Sequence, residues 1–260
     1  MLRRLFLFFL ILPLVPLVIW SFSQRWLFPA LLPTEWGVRG WAYLLSPGAR
    51  VGTAFFNSLV IALAVTLISL LIGLPAGRAL GVHHFRGKTL VNLLILAPTL
   101  VPTIGVALGL HVTFIRLNLA DTVLGVVLVH LIPVLPYVVL TLSGIFANYN
   151  LDYEAQARTL GASQWQVWRH ITLPAIFPGV MVAALFAFII SWSQYLLTLL
   201  IGGGQIQTLP TILLAFVNSG DYAVASALSL VFIAPAVLML LLTSRYLTGR
   251  HPALSGFGKL

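Results

Sequence analysis

Leu151-Asp-Tyr-Glu-Ala-Gln-Ala-Arg-Thr-Leu-Gly-Ala-Ser-Gln-Trp-Gln-Val-Trp-Arg-His-Ile-Thr-Leu-Pro174 stands between two long apolar runs. It is too polar to cross a bilayer and too patterned to be slack chain. Tyr153, Ala157 and Leu160 fall at helical spacing, and Glu154 precedes Arg158 by four residues, the favourable order for an ion pair along a helix. Gly161 lacks a Cβ and permits a sharp turn. Ser163 followed three residues later by Gln166 has the form of a capping box, which starts a second short helix carrying Trp165 and Trp168. Pro174 marks the expected return into an apolar segment. The stretch therefore reads as a helix-turn-helix lying against a membrane face.

Outward from it, six windows are apolar enough to cross a hydrocarbon core, which takes roughly 20 helical residues. They are Leu5–Phe22, Phe55–Leu74, Leu90–Leu110, Thr122–Phe146, Gly179–Ile201 and Ala223–Tyr246. Their hydrophobicity is continuous instead of alternating, and a helix satisfies its own backbone in lipid, so the expected fold is an all-α membrane protein of six transmembrane helices. The first window ends in Trp20 and Phe22 and is followed by Gln24, Arg25 and Trp26, with no small-residue cleavage site, and reads as an uncleaved span. Residues 1–260 form a single domain on this reading.

The composition agrees. The 260 residues are 60% hydrophobic and 7% charged, with a mean hydropathy of +1.05, against about 25% charged in a soluble domain. The formal net charge of +9 comes from scattered basic residues, not from a patch interleaved with stacking aromatics, so nucleic acid is not an expected partner and membrane lipid is. With the amino terminus inside, the cytoplasmic segments hold Arg3, Arg4, Arg78, Arg86, Lys88, Arg158, Arg169, Arg245, Arg250 and Lys259, and the outer segments only Arg25, Arg39, Arg50 and Arg116. That bias places both termini in the cytoplasm. The absence of cysteine excludes disulfides, thiolate chemistry and Cys-based metal sites.

Other candidate chemistry is thin. Gly81 to Thr89 imitates a phosphate-binding loop but has five residues between its glycines where four are required, and it follows an apolar window instead of a strand. The adjacent His83 and His84 point in different directions and do not share a metal. Inside the windows, polar groups are costly unless partnered. His130, beside Pro133 and Pro136, and the cluster Ser191, Ser193, Gln194 and Tyr195 are the candidate translocation-pathway residues; helix-to-helix hydrogen bonding is the alternative use for them. No Asp or Glu lies within a window, which argues against an ion-coupled secondary carrier. No Gly-x-Ser-x pattern meets a mid-membrane histidine in the way an intramembrane serine protease needs, and Ser163 falls in the polar loop.

The Gly161-Ala162-Ser163 turn and the Ile171-Thr172-Leu173-Pro174 ending resemble, in identity and spacing, the cytoplasmic EAA loop of binding-protein-dependent ABC importer permeases, type I importers of the MetI-like transmembrane family. The third window's Pro98 and Pro102 and the Pro178-Gly179 pair also look family-like, closest to the polyamine, iron, thiamine and sulfate branch. One departure stands out. Aligned from Gly161, the family's Glu-Ala-Ala falls on Ala155-Gln156-Ala157, so Glu154 is displaced by one residue from the acidic position. The resemblance implies a permease subunit that is not itself an enzyme, sited in the bacterial inner membrane. It also implies a second permease subunit as a heterodimer partner, a cytoplasmic ABC ATPase dimer that binds the ATP and Mg, and an extracytoplasmic solute-binding protein, with no cofactor in this chain. It assigns the ATPase-docking surface to Ala157, Leu160, Gly161, Ala162 and Trp165.

Overall fold

The computed structural model describes residues 12–27 and 29–247. Helix α1 (Leu14–Ser21) leads into a two-stranded antiparallel ribbon, β1 (Ser23–Arg25) with β2 (Glu35–Trp36), and a short helix α2 (Arg39–Leu45). There follow α3 (Val51–Val82), α4 (Lys88–Leu100), α5 (Thr103–Arg116), α6 (Val123–Ala147), α7 (Asp152–Thr159), α8 (Gln164–Val167), a π-helical turn (Trp168–Thr172), α9 (Leu173–Trp192), α10 (Leu196–Gly202), α11 (Leu209–Ser219) and α12 (Tyr222–Leu247). Among the described residues, four helical stretches, 51–82, 123–147, 164–192 and 222–244, are individually long and apolar enough to cross a membrane, and the bent pair α4–α5, taken as one span, makes a fifth. The window Leu5–Phe22 extends beyond the described residues, and its described part is α1.

Two of the expected windows are not single helices. The third breaks at Val101–Pro102, where α4 and α5 meet at 96°. Proline pushes its predecessor into extended backbone, and Val101 has φ −87° and ψ 133°. The fifth window ends early: α9 stops at Trp192, and α10 begins after a break at Ser193–Tyr195. At its other end the fifth helix starts before Gly179. The second short helix expected after Gly161 runs without interruption into α9, as one 29-residue helical stretch from Gln164 to Trp192. Pro174 is thus not a re-entry point but the second residue of α9, and the wider π turn just before it absorbs the missing N–H donor.

The central core is a trio of α3, α6 and α9, in which Ile61 and Val65, then Val126, Leu131, Val134, Val138 and Leu142, then Ala183 and Ala187 are buried together. Helix α3 lies close against α6. Gly73, Gly77 and Gly81 recur every four residues on one face of α3, and a Cβ there would lie 2.6 Å from Val138 Cγ1, 2.6 Å from Leu142 Cβ and 2.5 Å from the Ser143 carbonyl oxygen. Small residues at this spacing let helix backbones come together where apolar burial gives no driving force of its own. A second cluster centres on Trp192, stacked between Phe188 and Phe232 at 5.6 and 5.7 Å, its indole N–H donating to the Phe232 carbonyl at 3.0 Å. On the third side, α5 and α10 pack together against α6 through Ala107, Phe114, Val129, Leu197 and Ile201. The two helices that follow the chain breaks are therefore neighbours.

Candidate functional site

The polar stretch folds into an elbow. Helix α7 ends at Thr159, Gly161 takes φ +86°, and Ser163 caps α8. The expected capping box is formed: the Ser163 N–H donates to Gln166 Oε1 at 2.7 Å, and the Gln166 N–H donates to Ser163 Oγ at 3.4 Å. At the tip, Leu160 is 88% and Trp165 65% exposed. Gly161 is exposed, Ala162 half-buried, and Trp165 stacks on Trp168 at 6.4 Å. Ala157 differs from the other four residues assigned to docking, because it is buried and braces α7 from beneath.

The residue that anchors the elbow is Glu154, which the EAA alignment leaves without a role. Its carboxylate is 4% exposed and takes a two-pronged bond from Arg78 of α3, Nη1 to Oε1 and Nη2 to Oε2, both 2.8 Å. Thr172 in the π turn donates its hydroxyl to Oε1 at 2.8 Å, and Arg158 approaches Oε2 at 3.4 Å. The Arg78 guanidinium also lies over the Phe146 ring, 5.7 Å from its centre. A forked guanidinium–carboxylate pair fixes geometry as well as charge.

The Arg78 hydrogen bonds hold Glu154 below the usual carboxylate range, with Thr172 and the two arginine charges helping and burial opposing. A folded-state value below the unfolded one gives stability that is fully present above the unfolded value, about 4.3, and is lost as pH falls through the folded value. Acidification below about pH 4 should therefore lower the unfolding midpoint of the detergent-solubilised chain more steeply than that of Glu154→Gln, since Arg78 stays cationic there. Parallel midpoint curves for the two proteins would contradict this.

The mid-bundle candidates divide. His130 and Ser191 are buried and bonded to each other, Nδ1 to Oγ at 3.0 Å, while His130 Nε2 meets Thr198 Oγ1 at 2.9 Å. Thr198 donates its own hydrogen to the Gln194 carbonyl at 3.0 Å. That leaves Nε2 as the ring donor and Nδ1 to accept from Ser191, so every polar atom of the group is satisfied. The histidine is thus bonded to α9 before the break and to α10 after it. His130→Ala should cost about 1 kcal/mol in denaturant unfolding in detergent, the usual worth of such bonds between membrane helices; an unchanged midpoint would show that the trio contributes nothing. Ser193, by contrast, is exposed and donates to the Ile189 carbonyl at 2.8 Å. With Tyr195 it lines a cavity of about 420 Å³ against α11 and α12, and Gln194 is half-buried beside them.

Two features of this site were absent from the expectations. Thr198 and the glycine stripe of α3 both serve helix contacts, and the four-residue recurrence of Gly73, Gly77 and Gly81 was a signal that could have found the stripe. Toward the other end of the bundle, Arg50, with φ 51°, opens α3 and lines a cavity of about 430 Å³ with Tyr43, Gln207 and Thr211. Asn57 donates to the Gln207 carbonyl at 3.0 Å, and the Leu209 N–H donates to Ser58 Oγ at 2.8 Å, which fixes α11 to α3 beside that cavity.

The family profile described as binding-protein-dependent transport system inner membrane component matches residues 69–248. A Salmonella typhimurium permease protein, PhnV, named as a candidate in 2-aminoethylphosphonate transport, is 28% identical over 243 residues, covering 93% of this chain and 90% of its own length. The molybdenum transport system permease protein ModB of Mycobacterium tuberculosis is 34% identical over 219 residues, covering 77% of this chain and 81% of its own. In structure, a bacterial ABC transporter chain involved in alginate import superposes with a TM-score of 0.73 over 94% of this chain and 93% of that one, at 17% identity.

Proposed function

The chain belongs to the binding-protein-dependent transport system inner membrane component family of ABC importer permeases, and from that premise we propose that it forms the solute path of an ATP-driven importer and is worked by a separate ATPase at the elbow around Gly161. On this reading the six expected windows, whose described parts are α1, α3, α4–α5, α6, α9–α10 and α12, cross the membrane with both termini in the cytoplasm. A second permease subunit completes the path, and an external binding protein delivers the solute. The observation that carries the proposal is the pair of exposed apolar side chains, Leu160 and Trp165, held on a rigid turn within a segment too polar to sink into lipid. Closure of the ATPases would push the elbow and bias the bundle between its two facings.

For the solute, the chemistry suits a small anion. The membrane-crossing helices carry no Asp or Glu, while Arg50, Gln207 and Thr211 line the cavity beside α11. Two relatives are named for 2-aminoethylphosphonate and molybdenum transport. The test is uptake into proteoliposomes by the whole complex, comparing labelled sulfate, molybdate and 2-aminoethylphosphonate with a polyamine. Uptake of an anion that needs ATP inside the cell-equivalent compartment is expected. Uptake driven by an imposed ion gradient without the ATPase would overturn the importer reading, and ATP-dependent uptake of the polyamine alone would overturn the choice of solute.

A further inference from the structure

Helix α7 is poorly equipped to hold itself against the bundle. Among its eight residues only Glu154 and Ala157 are buried. One of these offers a methyl group, and the other places a carboxylate inside the protein body. That carboxylate reaches three other places at once: Arg78 near the end of α3, Thr172 in the π turn that leads into α9, and, through the Arg78 guanidinium lying over Phe146, the last turn of α6. These are the three helices of the central core. The π turn itself shows that the start of α9 departs from regular helix where Thr172 meets Glu154.

We propose that the Arg78–Glu154–Thr172 cluster is the joint through which force applied at the elbow reaches the core helices, making these three residues positioning residues for transport. Resting on the permease reading above, this assigns the displaced glutamate a task of its own. It braces the docking segment from inside the chain and leaves Leu160 and Trp165 to meet the ATPase. A forked pair resists both sliding and rotation, whereas a single hydrogen bond resists only stretching. A movement of α7 is therefore passed to α3 and α9 together instead of being absorbed in the turn.

The experiment uses the complete transporter in proteoliposomes and reads solute moved per ATP hydrolysed. Glu154→Gln is expected to keep basal ATP hydrolysis and to lower that ratio at least about tenfold, because the amide loses the charge-assisted fork. Thr172→Val, which removes one hydroxyl and leaves the ion pair, is expected to lower it severalfold. Docking is read separately from a single thiol at Ala162→Cys, cross-linked to the ATPase. A cross-link that survives in Glu154→Gln while the ratio collapses is the predicted result. An unchanged ratio in both variants, with the cross-link intact, would overturn the joint and leave the permease reading standing. No cross-link in the otherwise unaltered chain would overturn the permease reading itself. Should Glu154→Gln fail to assemble, Thr172→Val decides, and a wild-type ratio there rejects the proposal.

Discussion

Replacing Gly77 with valine is expected to prevent α3 and α6 from closing and to cost at least about 3 kcal/mol, the upper range for overpacking a well-filled contact. A Cβ at this position would sit 2.6 Å from Leu142 Cβ, 3.0 Å from the Ser143 backbone nitrogen and 3.1 Å from the Leu142 carbonyl carbon. Two of these atoms are backbone, so no rotamer change makes room and the helices must separate. Separation would then strip contacts from Val138 and Leu142, both buried in the central cluster. Gly144→Val on α6 is the control, since a Cβ there meets nothing within 4 Å. Monodisperse yield and thermal unfolding in detergent should collapse for Gly77→Val and stay near wild type for Gly144→Val. Equal behaviour of the two would show that the glycine stripe is not a packing interface.

Gly161→Val should act on the opposite link of the chain, leaving the bundle folded while uptake falls at least about tenfold. Gly161 has φ +86°, and a Cβ there would meet nothing within 4 Å, so the penalty is conformational alone. A β-branched residue held in that region costs about 1–3 kcal/mol. The turn can escape the strain by relaxing toward ordinary helical backbone, which would swing Leu160 and Trp165 apart. The variant should therefore insert normally, keep its unfolding midpoint within a few degrees and lose ATP-driven uptake. Full uptake at normal abundance would mean that the sharp turn is dispensable.

Much of this architecture could be read from residue order. The apolar windows around Val65, Val134 and Ala227 became helices because continuous apolar sequence in lipid has no cheaper way to satisfy its backbone. The Ser163–Gln166 box was legible because capping is local: both partners lie within four residues. The breaks were less so. Pro102 stood inside a window read as one span, and the 96° bend found there is accompanied by packing of α5 beside α10, which is tertiary information. Ser193–Tyr195 looked like a polar cluster within one helix and proved to be the break itself.

The site divides along the same line. Leu160, Gly161 and Trp165 owe their arrangement to neighbours in sequence and could be assigned to one turn in advance. Glu154 could not, because its partners Arg78 and Thr172 stand 76 and 18 residues away. Local spacing favoured an Arg158 partner instead, and that contact proved the longest of the four at 3.4 Å. The same holds for His130, whose hydroxyl partners lie 61 and 68 residues along the chain and turn a candidate pathway group inward.

The central claim is that a separate ATPase bears on the tip of the elbow. The chain has no cysteine of its own, so a thiol introduced at Leu160, 88% exposed, and one introduced at Ala157, 9% exposed, report on the tip and on the base of the same structure. With the assembled transporter in native membranes and a short thiol-reactive cross-linker, Leu160→Cys should capture the ATPase subunit and Ala157→Cys should not. Failure of Leu160→Cys to capture any ATPase, in a complex that still imports solute, would contradict the account.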